Sequence, residues 1–196
     1  MVTDYIDKAV WDRLLDALMP ANRLAIEVAI ATGLRISDVL SLPASITQRP
    51  TVRDAKTGKR HRICIPLALY QRLQAIKGQY WIFEGRKSPT QHRTRQAVWY
   101  DLHRAARLYR MPADVRGLTI APHSARKTYA VGVYRRTGKI TEVQRLLCHS
   151  DVHITMLYAM ADELTRRAHP EIDKQRRIDG FDEHGTDTRR CARDCH

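Results

Sequence analysis

The sequence predicts one mixed α/β domain, mainly helical, with a small antiparallel β-sheet. Three observations lead there. Apolar residues recur at helical spacing from Ile6 to Leu42. Between Ala44 and Pro66 the pattern changes to two short strand-like runs around a glycine-containing turn. Helical spacing then returns and holds from His123 to Met160. A chain of 196 residues can bury roughly 70% of its unfolded surface, so it needs no covalent or metal staple.

The elements follow in order. Ile6, Val10, Leu14, Leu15 and Leu18 share one face of a helix running to Met19, with Thr3 or Asp4 as its cap and Pro20 as its stop. Asn22 to Thr32 is apolar over most of its surface, which predicts a central helix, and Gly33 suits its C-terminus. A short helix from Arg35 to Leu42 ends at Pro43. Thr51-Val-Arg-Asp54 and His61-Arg-Ile-Cys-Ile65 read as two strands, joined by a Lys56-Thr-Gly-Lys59 turn in which Gly58 supplies the permissive backbone. An earlier strand near Ser45 to Gln48 is a weaker expectation. Leu67 to Ile76 is helical, Tyr80-Trp-Ile-Phe83 is a short apolar stretch before a polar loop, and Thr90 to Tyr109 reads as a long basic helix. His123 to Arg136, Thr141 to Cys148 and Asp151 to Met160 complete a helical C-terminal half. Residues 1–168 are expected to form the domain, and residues 169–196, charged and poor in apolar side chains, a mobile basic tail.

Lysine and arginine number 34 against 21 acids, a formal net charge of +13. That excess is the electrostatic footprint of a nucleic-acid binder, although charge alone is also compatible with a solvated basic surface. No apolar run approaches the ~20 residues of a membrane span, which argues against a membrane partner. Four cysteines, Cys64, Cys148, Cys191 and Cys195, follow no secretory signal and suggest no disulfide framework, so a reducing, cytoplasmic setting is expected. Cys191, Cys195 and His184 crowd the terminus, but their spacing matches no common zinc pattern. Neither a metal nor another cofactor is expected.

Six residues stand out as a set: Arg35, Lys56, His123, Arg126, His149 and Tyr158. Each alone has an ordinary explanation. Arg35 and Lys56 suit solvated surface and turn positions, His-x-x-Arg arises easily by chance, His149 lies between two helices where it could simply cap, and a tyrosine on an apolar helix is most often core. Together they have a common chemistry. Two arginines offer forked donors that match a phosphate, a lysine and two histidines can bond it or move protons, and a tyrosine hydroxyl can attack phosphorus.

The contexts Ala31-Thr-Gly-Leu-Arg-Ile-Ser-Asp38, Lys56-Thr-Gly58, Pro122-His-Ser-Ala-Arg126 and Leu146-Leu-Cys-His149, followed by Tyr158, resemble the tyrosine recombinase (phage integrase) family from about Tyr5 to Asp162. The resemblance implies that family's catalytic-domain fold, double-stranded DNA as partner, and a homo-oligomer assembled on DNA. It implies site-specific cleavage and rejoining of strands through a 3′-phosphotyrosyl bond. Arg35 and Arg126 would clamp the phosphate, Lys56 would protonate the leaving 5′ oxygen and His149 would bond the phosphate. Tyr158 would be the nucleophile, and Asp38 would orient these groups without reacting. His123 would either accept the tyrosine proton or bond a phosphoryl oxygen. At two places the chain departs from the family's usual pattern: Lys127 replaces a histidine after the second arginine, and Cys148 replaces a glycine before His149. Family members normally carry an additional N-terminal helical domain, and this chain begins almost directly at the catalytic part. Met160 to Ala168 is expected to dock on a neighbouring protomer through Leu164. Supercoil relaxation of the type IB topoisomerase kind, and a noncatalytic DNA-binding module on the same fold, are the alternative readings.

Overall fold

The computed structural model describes residues 3–55, 58–108, 119–148 and 151–168. The element order is α1 (Lys8–Ala17), α2 (Pro20–Thr32), α3 (Ile36–Leu40), β1 (Thr51–Arg53), β2 (Arg60–Arg62), α4 (Leu67–Ile76), α5 (Arg95–Leu108), α6 (Pro122–Thr137), α7 (Ile140–Leu147), α8 (Val152–Ala159) and α9 (Ala161–Ala168). Among the described residues helices dominate and the sheet is a single antiparallel pair, as the sequence predicts.

Helix α1 starts later than its apolar pattern suggests. Its cap is Asp7, whose carboxylate accepts the Val10 N–H at 2.8 Å and so satisfies a first-turn donor. Asp4 instead ties the N-terminal segment to residue 119: its own N–H donates to the Thr119 carbonyl, and its carboxylate accepts the Thr119 N–H. Pro20 does not merely stop α1. It opens α2 at a position where a missing N–H costs nothing. Asn22, Leu24, Ala25, Ile26, Val28, Ala29 and Thr32 of α2 are all buried, and the helix packs against α1, α3, α4, α5 and α6. Gly33 ends it in the left-handed conformation, φ 71°.

Strands β1 and β2 pair with Thr51 opposite Arg62 and Arg53 opposite Arg60. They are shorter than predicted, but the hydrogen bonding runs on, because the Ile63 and Ile65 N–H groups donate to the carbonyls of Pro50 and Gln48. The expected strand near Ser45 does not form. Backbone at Leu42 to Ala44 pairs with Tyr80 to Ile82, through Ala44 N–H to Tyr80 O and Ile82 N–H to Leu42 O. Helix α5 likewise starts at Arg95, not Thr90. Arg93 N–H donates to Phe83 O at 2.7 Å, and the Thr94 hydroxyl accepts the Ala97 N–H, so the chain arrives in an extended pairing and is capped there. Its expected end at Tyr109 lies outside the described residues.

Two apolar clusters result. The larger gathers α1 to α5 around Trp11, Leu14, Ile26, Leu40, Ile65, Leu73, Phe83 and Leu102. The smaller comprises Ala130, Val133, Val143, Leu147 and Ala159, with Tyr129 and Tyr158 packed on it. The α2–α6 contact joins them, and Trp11 Nε1 donating to Thr128 Oγ1 pins α1 to α6. The candidate site lies where these clusters meet.

Candidate active site

Arg126 is the centre of the site. It projects from α6 and is only 3% exposed. One Nη1 N–H donates to the Gly33 carbonyl and one Nη2 N–H to the Leu147 carbonyl, each at 2.6 Å. Gly33 closes α2 and Leu147 ends α7, so the guanidinium sits where two helix C-termini converge. Those ends carry unsatisfied carbonyls and partial negative charge, both of which a cation satisfies. Burial, and then repulsion from Arg35, bring the Arg126 pKa down to about 10, with partial compensation from Tyr158, Asp38 and Cys148. The group is therefore still charged at neutral pH. Its Nε is buried and has no hydrogen-bond partner among the described residues.

Arg35 follows the Gly33 turn and stands as the N-terminal flanking residue of α3. Its Nη1 forms an ion pair with the Asp54 carboxylate at the end of β1. The Asp54 side chain is 2% exposed and that of Arg35 21%. Asp38, expected to support the site, is buried in α3, and its Oδ1 accepts the Ala55 N–H at 3.2 Å. It thus holds the hairpin backbone directly before Lys56. Asp54 was not foreseen. An acid beside a turn lysine reads as solvated charge, and only its burial against Arg35 reveals otherwise.

His123 lies in the first turn of α6 and is exposed. The Ser124 hydroxyl accepts the Ala121 N–H at 3.4 Å and helps set that helix start. His123 Nε2 and the Tyr158 hydroxyl share a hydrogen bond, with the rings edge to face at 5.4 Å between centroids. The two residues are 35 positions apart and belong to one chain, brought together because α6 and α8 pack on each other. Burial raises the Tyr158 pKa above the usual phenol value, and Arg126, then Arg35, pull it partly back. The hydroxyl is therefore protonated at neutral pH and is hydrogen-bonded to the His123 imidazole.

Lys56 and His149 lie outside the described residues, as do the tail of 169–196 and its Cys191, Cys195 and His184. Their flanks are defined. Gly58 N–H donates to the Asp54 carbonyl and Asp54 N–H to the Lys59 carbonyl. Cys148, before His149, adopts φ 53°, the left-handed conformation that its position favours in glycine. Asp151, two residues after His149, caps α8 by accepting the His153 N–H. The structure thus brings together Arg35, Asp38, His123, Arg126 and Tyr158. Among the described residues no group of three or more His, Cys, Asp or Glu could hold a metal ion.

A sequence model described as "Phage integrase family" matches residues 4–164. The chain belongs to the phage integrase family. It is 35% identical over 147 residues to the probable integrase/recombinase YoeC of Bacillus subtilis (strain 168), covering 71% of this chain and 77% of that one. It is 28% identical over 162 residues to tyrosine recombinase XerD of Haemophilus influenzae, covering 76% of this chain and 53% of XerD. The chain therefore spans about half the length of the XerD relatives it matches. The fold matches XerA recombinase with a TM-score of 0.63 at 18% identity, covering 84% of this chain and 63% of XerA. It also matches a lambda integrase dimer bound to a COC′ core site, with a TM-score of 0.65 at 18% identity, covering 81% of this chain and 48% of that one. These family relatives share the mainly helical catalytic-domain fold. No helix among the described residues is long and apolar enough to cross a membrane.

Proposed function

We propose that this chain is a site-specific tyrosine recombinase, breaking and rejoining double-stranded DNA with residues 1–168 as its catalytic domain. The observation that carries the reading is the His123–Tyr158 hydrogen bond beside Arg126. The Tyr158 oxygen attacks a backbone phosphorus, its proton passes to His123 Nε2, and the bond from phosphorus to the 5′ oxygen breaks. Lys56 supplies the proton that the 5′ oxygen needs on leaving, since an alkoxide is a poor leaving group. Arg126 and Arg35 offset the negative charge that builds on the phosphoryl oxygens, and His149 bonds one of them. The products are a 3′-phosphotyrosyl bond and a 5′ hydroxyl, and reversal of the same steps reseals the strand without an external energy source. Asp38 supports Lys56 by holding the Ala55 N–H.

The net charge of +13 supports a polyanionic partner. The lambda integrase structure, a dimer bound to a core site, supports DNA as that partner and a homo-oligomer as the working form. A cytoplasmic setting fits the same substrate. The test uses the whole chain and a library of nicked DNA duplexes of randomised sequence. Wild-type protein should yield a covalent protein–DNA adduct that survives denaturation, enriched for particular duplexes. Tyr158→Phe, which keeps the ring, should abolish the adduct and retain noncovalent binding. An adduct persisting in Tyr158→Phe refutes the assignment of the nucleophile.

A further inference from the structure

The two arginines of the site are held in different ways. Arg126 donates to two neutral carbonyls, and no carboxylate bonds it directly among the described residues. Arg35 is paired with a carboxylate that is itself buried. A buried carboxylate is costly unless a cation and hydrogen bonds compensate it, so its presence next to a proposed phosphate clamp calls for an explanation. Charge is a poor one, since a negative group reduces the pull of Arg35 on a phosphate.

Geometry gives a better account. A guanidinium can dock side-on through Nε and Nη2, or end-on through Nη1 and Nη2. Asp54 occupies Nη1, while Nε and Nη2 make no hydrogen bond to a described residue. That leaves the side-on fork, and an arginine fixed at one terminal nitrogen no longer rotates freely about its long stem. The hairpin that carries Asp54 is held in turn, because Asp38 of α3 accepts the N–H of Ala55, the next residue. Two contacts between α3 and the hairpin, one charged and one through backbone, therefore define where the Arg35 fork points.

Resting on the assignment of Arg35 as a phosphate clamp, we propose that Asp54 is a positioning residue, which orients the Arg35 guanidinium so that its Nε/Nη2 fork meets the scissile phosphate. Misplacement of a reacting or clamping group by about 1 Å costs on the order of 100-fold in rate. Asp54→Ala should therefore slow single-turnover cleavage by roughly 100-fold. Asp54→Asn, whose amide oxygen still accepts from Nη1, should stay within about 10-fold of wild type. Neither change should weaken noncovalent DNA binding, because each removes a negative charge. A merely structural role would lower binding and cleavage together.

The experiment is a double-mutant cycle on a nicked duplex recovered from the randomised library, with noncovalent retention of that duplex measured for every variant. In an Arg35→Ala background, Asp54→Ala should add less than about 3-fold, since there is no fork left to orient. Losses that simply multiply would overturn the proposal while leaving the active-site assignment intact. So would restoration of Asp54→Ala cleavage by sulfur at the 5′ bridging position, which would route the effect through Lys56. Cleavage by Arg35→Ala at the wild-type rate would sink the clamp assignment, and this proposal with it.

Discussion

Gly33→Ala tests whether the junction of the two apolar clusters is as tightly specified as the geometry indicates. Gly33 has φ 71°, where an L-residue costs about 1–2 kcal/mol. A Cβ added there would lie 2.4 Å from Tyr129 Cδ1, 2.6 Å from Cε1 and 3.0 Å from Leu147 Cδ2. No such contact is tolerable, so the Tyr129 ring must shift, and overpacking of this kind adds about 1–3 kcal/mol. The expected destabilisation is thus about 2–5 kcal/mol, read as the change in the urea unfolding free energy. Because the Gly33 carbonyl accepts from Arg126, cleavage should also fall in protein that remains folded. Tyr129→Ala removes the ring that would collide. The double variant should then be more stable than the sum of the two single losses predicts, by about the steric share of 1–3 kcal/mol. A loss below about 1 kcal/mol for Gly33→Ala would refute the reasoning, as would strict additivity in the double variant.

Two further outcomes are expected. Asp101 of α5 is buried and accepts from the Met19 N–H, Asn22 Nδ2 and Arg104, so Asp101→Asn should cost about 1.5–3 kcal/mol in chemical denaturation. Burial pushes the Asp101 pKa up, but the hydrogen bonds from Asn22 and Met19 and the pairing with Arg104 outweigh it and hold it below the usual carboxylate value. The folded state thus binds this proton less readily than the unfolded chain. The contribution is present at pH above about 3.9 and is lost as pH falls through the lower folded value, so Asp101→Asn should flatten the acid limb of the stability profile. An unchanged acid limb would contradict this. Lys56→Ala should cleave ordinary DNA poorly and recover substantially on a substrate with sulfur at the 5′ bridging position, which needs less protonation on leaving. Equal defects on both substrates would remove Lys56 from the acid role.

Much of the fold is legible in the sequence because its signals are local. The continuous apolar surface of α2, the glycine after it and the spacing in α4, α6 and α7 depend on residues a turn apart. The misplaced boundaries share a cause as well. Thr90 to Thr94 carries nothing hostile to a helix, yet it extends because Arg93 finds the Phe83 carbonyl, a partner that no window of sequence contains. In α9 the structure buries Ala161 and Thr165 and leaves Leu164, expected to dock on a neighbouring protomer, 43% exposed. Thr165 Oγ1 accepts the Tyr5 N–H and Asp162 pairs with Arg135, so α9 is held on its own chain through small and polar contacts while Leu164 faces outward. Of the candidate site, Arg35, Asp38, His123, Arg126 and Tyr158, singled out by order and spacing, lie together in the structure. Asp54 was not singled out, because its meaning lies in burial against a residue 19 positions away.

The site also shows why the fold and the chemistry cannot be separated here. Three segments must meet for the two Arg126 Nη groups to be bonded: the end of α2, the end of α7 and α6 itself. The ends of α2 and α7 each contribute a carbonyl that the helix terminus leaves unpaired, so helix formation itself creates the acceptors that a buried guanidinium requires. Lysine would carry the same charge, but its compact ammonium lacks the rigid planar fork whose two Nη groups here reach carbonyls on two different helices. The cost of burying that charge, visible in a pKa brought down to about 10, is offset by contacts that close the α2–α6–α7 junction. A cation held this way does not need to reorganise when a phosphate arrives, which is the condition under which fixed charge stabilises a transition state most. Arg35 reaches the same condition by another route, through a carboxylate on a hairpin, so one half of the proposed clamp is set by helix ends and the other by a strand turn.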